Sequence, residues 1–344
     1  MLTRSGATIA GLAAGYLADL AFGDPRRGHP VALFGQAADA LQRRMWADSR
    51  QRGAAYAVVC VGGAAGVGVV AHNATARAPM ARAAATALAT WAVLGGHGLA
   101  REGAEMARPL EVNDIEGARK RLSHLCGRDP DGLDAKELAR AATESIAENT
   151  SDAVVAPLLW GAAAGIPGLL GYRALNTLDA MVGHRTPRHE RFGWASARAD
   201  DLANLVPARL SALAAAVCAP AVGGSPRRAW RVWRRDAGKH PSPNAGQVEA
   251  AFAGALDVRL GGVNSYAGNV EDRGTLGDGR APDVADLRRS VRLSRAVGAA
   301  SLGVAAIFVR LRAERRLQST QRTERATHST QRTESVFQRV GWRR

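Results

Sequence analysis

Three carboxylates punctuate the stretch TESIAENTSDAVVAPLLW, where Glu144, Glu148 and Asp152 fall four residues apart. That spacing lines one face of a helix, with Asn149 beside it, and the chain turns apolar directly afterwards. Oxygen ligands on one face suit Mg²⁺, which takes one or two carboxylates together with substrate phosphates. The alternative is a solvated face answering nearby arginines. Ionisable groups that run straight into a membrane-grade segment favour the functional reading.

Three further constellations have the same character. In YRALNTLDAMVGHRTPRHERFG, Asn176 and Asp179 share a helical face, Gly183 can end the helix, and His184 and Arg185 open a dense Arg/His group suited to phosphate or carboxylate. Its alternative is a positively charged anchor loop. In ARADDLANLVPARL, Asp200, Asp201 and Asn204 lie within about one turn, which suits a metal-bound phosphate or an acidic helix start. In RDAGKHPSPNAGQVEAAFAGAL, Lys239 and His240 precede a helix that Asn244 could cap, an anion-binding arrangement. That helix reads as amphipathic, ending at Gly261. No Walker A loop, GxSxG elbow, HExxH or paired-Cys zinc pattern occurs, so any use of a nucleotide would do without a P-loop.

The elements that must position these groups are long apolar runs. Residues 54–71, 83–100, 153–172 and, with Arg209 inside it, 202–222 approach the length that crosses a bilayer core, and 6–18 and 296–309 are shorter candidates. The sequence predicts an all-α, multi-pass integral membrane protein with long polar connectors; a soluble bundle of buried Ala-rich helices is the alternative. Run 153–172 holds Pro157 and Pro167 and carries polar motifs at both ends. A broken, re-entrant helix would return both ends to one face. Residues 101–150 read as helical, with Asn113 as a cap.

The net charge of +15 lies largely in the connectors and the arginine-rich tail. Without interleaved aromatics or a recognisable motif it fits membrane-flanking charge rather than nucleic acid. Cys60, Cys126 and Cys218 have no metal or redox spacing and read as small buried residues. The tail, 313–344, repeats STQRTE and has the composition of a disordered segment following one domain over 1–312.

Taken in order, these stretches resemble the CobD/CbiB family of cobalamin biosynthesis, the adenosylcobinamide-phosphate synthases. YLADLAFGDPRRGHPVALFG is similar to the family's amino-terminal pattern through Asp19, Gly23, Asp24, Pro25, His29, Pro30 and Val31. The likeness resumes at ESIAENTSDAVVAPLLW, passes through YRALNTLDAMVGHR and ARADDLANLVPARL, and reaches HPSPNAGQVEAAFAGALDVRLGG. It implies an enzyme of the inner, cytoplasmic membrane whose site faces the cytoplasm. The implied reaction is ATP-dependent amide-bond formation between aminopropanol, generally as its O-phosphate, and the propionate carboxylate of cobyric acid. Mg²⁺ would accompany ATP, with no tightly bound organic cofactor. The expected partners are the corrinoid, aminopropanol phosphate, ATP and lipid, with a second copy or other late pathway enzymes alongside.

On that implication Glu144, Glu148, Asp152, Asp200 and Asp201 are candidates to hold the metal or position the ammonium. Arg185, Lys239 and His240 would meet phosphates, and His184 would serve as base. Asn149, Asn176 and Asn204 would orient substrate with Asp179 beside them, and Asp24 and His29 enter through the amino-terminal motif. Two other classes are an intramembrane prenyl-diphosphate transferase, which expects paired Asp-rich motifs, and a transporter, which expects repeated spans.

Overall fold

The computed structural model describes residues 3–25, 28–184, 186–266 and 269–339. The chain runs α1 (Arg4–Phe22), α2 (Pro30–Met45), α3 (Arg50–Ala74), α4 (Pro79–Val93), α5 (Gly96–Glu111), α6 (Ile115–Leu122) and α7 (Ala135–Thr150). A π-helical turn, Ser151–Val155, leads into α8 (Ala156–Ala164) and α9 (Ile166–Leu178), and a second, Asp179–Gly183, follows. Then come α10 (Trp194–Cys218), α11 (Pro226–Asp236), α12 (Ala245–Leu256), β1 (Leu260–Tyr266), β2 (Asn269–Leu276) and α13 (Val284–Arg339).

Among the described residues, four helical stretches are long and apolar enough to cross a bilayer: Arg4–Phe22, Arg50–Ala74, Trp194–Val222 and Val284–Arg315. Val58, Val67 and Val70 on α3 and Ile307 and Phe308 on α13 face outward, as lipid-facing side chains do. The protein is an all-α, multi-pass membrane protein with one small hairpin added. The run 83–100 is not a continuous span. Helix α4 stops at Val93 after 15 residues, about 22 Å of rise, and the Gly95-Gly96 pair breaks the axis before α5 starts.

Run 153–172 bends back on itself. Gly165, at φ +70°, turns α8 into α9, and a Cβ on Gly168 would lie 2.2 Å from the Trp160 carbonyl. The Tyr172 hydroxyl reaches the Asp152 carbonyl at 3.4 Å, so residues twenty apart in sequence are neighbours; a straight helix would separate them by about 30 Å. The prolines shape this hairpin. Pro157 has no N–H to give the Ala153 carbonyl, which accepts from Gly95 N–H at 3.1 Å instead. Pro207 likewise frees the Ala203 carbonyl of α10 for the Trp160 indole N–H at 3.2 Å. The Gly165 turn sits beside His72 at the end of α3, so it occupies the opposite end of the bundle from Asp152.

Several local expectations change. Asp114, not Asn113, caps α6, accepting from Gly117 N–H at 2.8 Å, while Asn113 takes φ +58°. Helix α12 is not amphipathic: Ala245, Gly246 and Val248–Leu256 are all buried, and the helix ends at left-handed Asp257. After it, β1 and β2 pair antiparallel, Leu260 opposite Leu276, with an irregularity between Gly261 and Val263. Helix α13 continues through the repeated tail to Arg339, a segment rich in the good helix formers Arg, Gln and Glu.

Candidate active site

A compact polar cavity lies where α7, both π-turns, α10 and the start of α12 converge. Its volume is about 80 Å³, and Glu148, Asp152, Asp179, Asp200 and Asp201 line it with Ser242 and Asn244. Each π-turn puts an extra residue into one helical turn at a mouth of the α8–α9 hairpin and carries an acid there, Asp152 or Asp179. Asn204 organises the α10 wall, accepting from Tyr172 at 2.9 Å and donating to Asp200 Oδ2 at 2.8 Å. Asn244 donates to the Asp201 carbonyl at 2.8 Å. The hydroxyl of Ser242, rather than the Asn244 side chain, caps α12, accepting from Ala245 N–H at 3.1 Å.

The electrostatics are unbalanced. Among the described residues, Glu148, Asp152, Asp179 and Asp200 enter no ion pair, while Asp201 meets only Arg198 at 3.7 Å. Burial pushes the carboxyls of Glu148, Asp152 and Asp179 above their ordinary range, and neighbouring carboxylates push the same way. Arg273 moderates this at Glu148, and His184, exposed at the mouth, does so at Asp179. Asp200 Oδ1, Ser151 Oγ and Asn244 Oδ1 are buried without a hydrogen-bond partner among the described residues. An all-oxygen set with unfilled acceptors is the chemistry of a hard cation. Among the described residues no three acidic, His or Cys side chains already converge at ligand spacing, so Asp152, Asp200 and Asp201 are neighbours in one cavity rather than an assembled triad.

The other expected residues are distributed around this cavity. Glu144 lies one turn behind it, ion-paired with the equally buried Arg128 and accepting from Gly261 N–H at 2.7 Å, which ties α7 to the hairpin. Asn149 donates back to the Ser145 carbonyl at 2.9 Å, and Asn176 accepts from Arg173 at 3.4 Å. Lys239 is held by Asp236 at 2.6 Å. His240 is buried; its Nδ1 accepts from Ser242 N–H at 3.0 Å, and burial, reinforced by Arg273, lowers its pKa to about 4. Asp24 and His29 pair at 3.3 Å beside the start of α5. Arg185 lies outside the described residues.

Two groups fall outside the expected set, Arg173 inside the YRALNTLDAMVGHR stretch and Glu249 in AGQVEAAFAGAL. Arg173 of α9 sits among the carboxylates of Asp24, Asp152 and Asp19, linking the amino-terminal motif to the acid cavity. Glu249 of α12 is fully buried with neither oxygen hydrogen-bonded among the described residues, its Oε1 3.7 Å from His240 Nε2. Its one signal is a lone charge in the otherwise uncharged AGQVEAAFAGAL.

A family model described as CobD/Cbib protein matches residues 12–294. The chain belongs to the CobD/CbiB family. It is 56% identical over 303 residues to the cobalamin biosynthesis protein CobD of Mycobacterium tuberculosis, covering 87% of this chain and 96% of that one. The protein of the same name from Geobacter metallireducens is 44% identical over 299 residues, 85% and 93% of the two chains. No solved structure matches. The family match takes in the acid cavity whole, from Glu148 to Val248, together with Asp24 and His29.

Proposed function

We propose that the protein is an adenosylcobinamide-phosphate synthase of cobalamin biosynthesis, acting in the cytoplasmic membrane with its site toward the cytoplasm. It would join the propionate carboxylate of adenosylcobyric acid to aminopropanol O-phosphate with consumption of ATP. The observation that carries this reading is the 80 Å³ cavity with four carboxylates that meet no ion-pair partner among the described residues, inside a chain of this family. The family match also favours it over the prenyl-transferase and transporter alternatives.

The cavity's size divides the work. Water takes about 30 Å³ in the liquid, so the space suits a cation with a few waters and not a nucleotide or a corrin. Asp152, Asp200 and Asp201 would hold Mg²⁺, which when bound neutralises charge on transferring phosphoryl oxygens. The larger substrates would meet it at the mouth, where His184 stands. Amide formation requires the incoming ammonium to be held and then to lose a proton. Glu148 and Asp179 suit both steps, since their charge attracts the ammonium and their raised pKa values make them willing acceptors of its proton. Asn204 and Tyr172 would hold Asp200 in place.

Membranes containing the protein should form product from cobyric acid, ATP, Mg²⁺ and aminopropanol phosphate. Glu148→Gln and Asp201→Asn should each reduce the rate strongly at unchanged protein level. Full activity in both variants would defeat the site assignment, and no product from the wild type would defeat the reaction.

A further inference from the structure

Helix α11, PRRAWRVWRRD, carries five arginines whose partners divide into two sets. Arg228 pairs with Asp257, and Arg235 with Asp236 and Asp278, the last at 2.9 Å. Arg227, Arg231 and Arg234 follow one another at four and three residues, share a face, and among the described residues enter no ion pair. The opposite face, Ala229, Val232 and Trp233, is buried in the core formed with α10 and α12.

That unpaired face borders an open groove of about 730 Å³ whose other wall is apolar, made by Leu213, Ala216 and Val217 of α10. Leu213 and Val217 are 41% and 65% exposed, continuing the outward apolar row that begins at Leu202 and Val206. Trp230, 48% exposed and edge-on to Trp233 at 5.1 Å, closes the groove between the arginines. Guanidinium groups cannot lie in hydrocarbon without partners, so α11 and the adjoining turns of α10 belong at the headgroup level of the bilayer. An indole at that depth is the usual interfacial anchor.

We propose that this groove binds an anionic phospholipid, its phosphate held by Arg227, Arg231 and Arg234 and its acyl chain laid along Leu213 and Val217. Charge complementarity and the apolar wall together select such a lipid over a zwitterionic lipid or free phosphate. The volume is in the range of ordinary ligand sites. The same core that buries the back of α11 includes Ala208 of the acid cavity's wall, so the lipid would brace the α10 side of that cavity.

The test uses the full chain in neutral detergent, with bound phosphatidylglycerol or phosphatidylcholine counted by native mass spectrometry. Wild type should bind one phosphatidylglycerol that the R227Q/R231Q/R234Q variant binds on the order of a hundredfold more weakly, about fivefold per arginine. The single variants Arg227→Gln and Arg231→Gln, which disturb folding least, should each show the smaller step. Phosphatidylcholine should bind both proteins alike, and inorganic phosphate should not displace the lipid. Equal phosphatidylglycerol affinity in wild type and single variants, equal preference for phosphatidylcholine, or displacement by inorganic phosphate would each overturn the proposal.

Discussion

Unpaired carboxylates crowded into 80 Å³ repel one another, so neutralising one should make the cation-free protein more stable while destroying the site. Take Asp152→Asn. Two unit charges about 5 Å apart interact by ~3 kcal/mol at an effective dielectric of about 20. Partial protonation of the raised acids reduces that, leaving ~1–2 kcal/mol to be relieved. For a chain of this length, with an unfolding entropy of about 2.1 cal/mol/K per residue, that is a rise of roughly 1–3 °C in Tm. The sign with pH follows from the raised folded-state pKa values of Asp152, Glu148 and Asp179. The penalty is absent below the unfolded-chain values, near pH 4, and grows as pH climbs from there through the folded values. The advantage of the variant should therefore be wider at pH 8 than at pH 5.5.

Mg²⁺ reverses the order, because it binds the folded wild type and stabilises it by mass action, and binds the variant less. The measurement is thermal unfolding in detergent, followed by tryptophan fluorescence, in chelator and across a Mg²⁺ titration at both pH values. If Asp152→Asn melts lower than wild type in chelator, or if Mg²⁺ raises both proteins equally, then the carboxylates are not an uncompensated cation site. The result is independent of the identity of the substrates, and so separates the electrostatic argument from the proposed reaction.

Other outcomes follow from the packing. Glu144→Gln should cost ~3 kcal/mol of stability, seen as a lowered Tm, because it takes the opposing charge from buried Arg128; the enzyme that remains folded should keep its turnover. Gly165→Ala should destabilise by ~1–2 kcal/mol in the same melt, since φ is +70° and the new Cβ would approach His72 Nδ1 at 3.1 Å. In a background without Cys60, Cys126 and Cys218, a membrane-impermeant thiol reagent should modify Asp131→Cys and His184→Cys from one side of the membrane and Asn73→Cys from the other. Labelling of positions 131 and 184 from opposite sides would refute the bent-back hairpin.

The acid cavity was legible because a charged stripe abutting an apolar run is a local pattern, as is an Asp pair four residues before Asn204. What the pattern could not resolve is which acids turn inward together. Residues four apart drift by about 40° around a helix, so Glu144 and Asp152 differ by about 80° even before the π-turn adds its extra residue. Glu144 therefore meets Arg128 and Gly261, while Asp152 meets the cavity. Glu249 is illegible for a different reason: one acid in an Ala-rich helix reads the same whether its face is solvated or buried, and here α12 is buried at every residue except Gln247. The hairpin β1–β2 has no legible signature because its glycines and charges mask the strand alternation.

The α8–α9 hairpin explains why the acids can be buried at all. A straight helix over 153–172 would carry Asp179 to the far end of the bundle from Glu148, leaving two half-sites. Turning at Gly165 brings both to one mouth, at the expense of backbone groups that its prolines leave unpaired. The Ala153 carbonyl is satisfied from outside the hairpin by Gly95 N–H at the head of α5, and in return Trp160 of the hairpin satisfies the Ala203 carbonyl that Pro207 frees in α10. The elements that supply these bonds also border the polar groups: α10 carries Asp200 and Asp201, and the start of α5 stands beside Asp19 and Asp24. The hydrogen bonds that make an irregular membrane segment tolerable are thus the ones that fix the amino-terminal motif and α10 against the acid cavity. Breaking the bend and dispersing the site are one structural event.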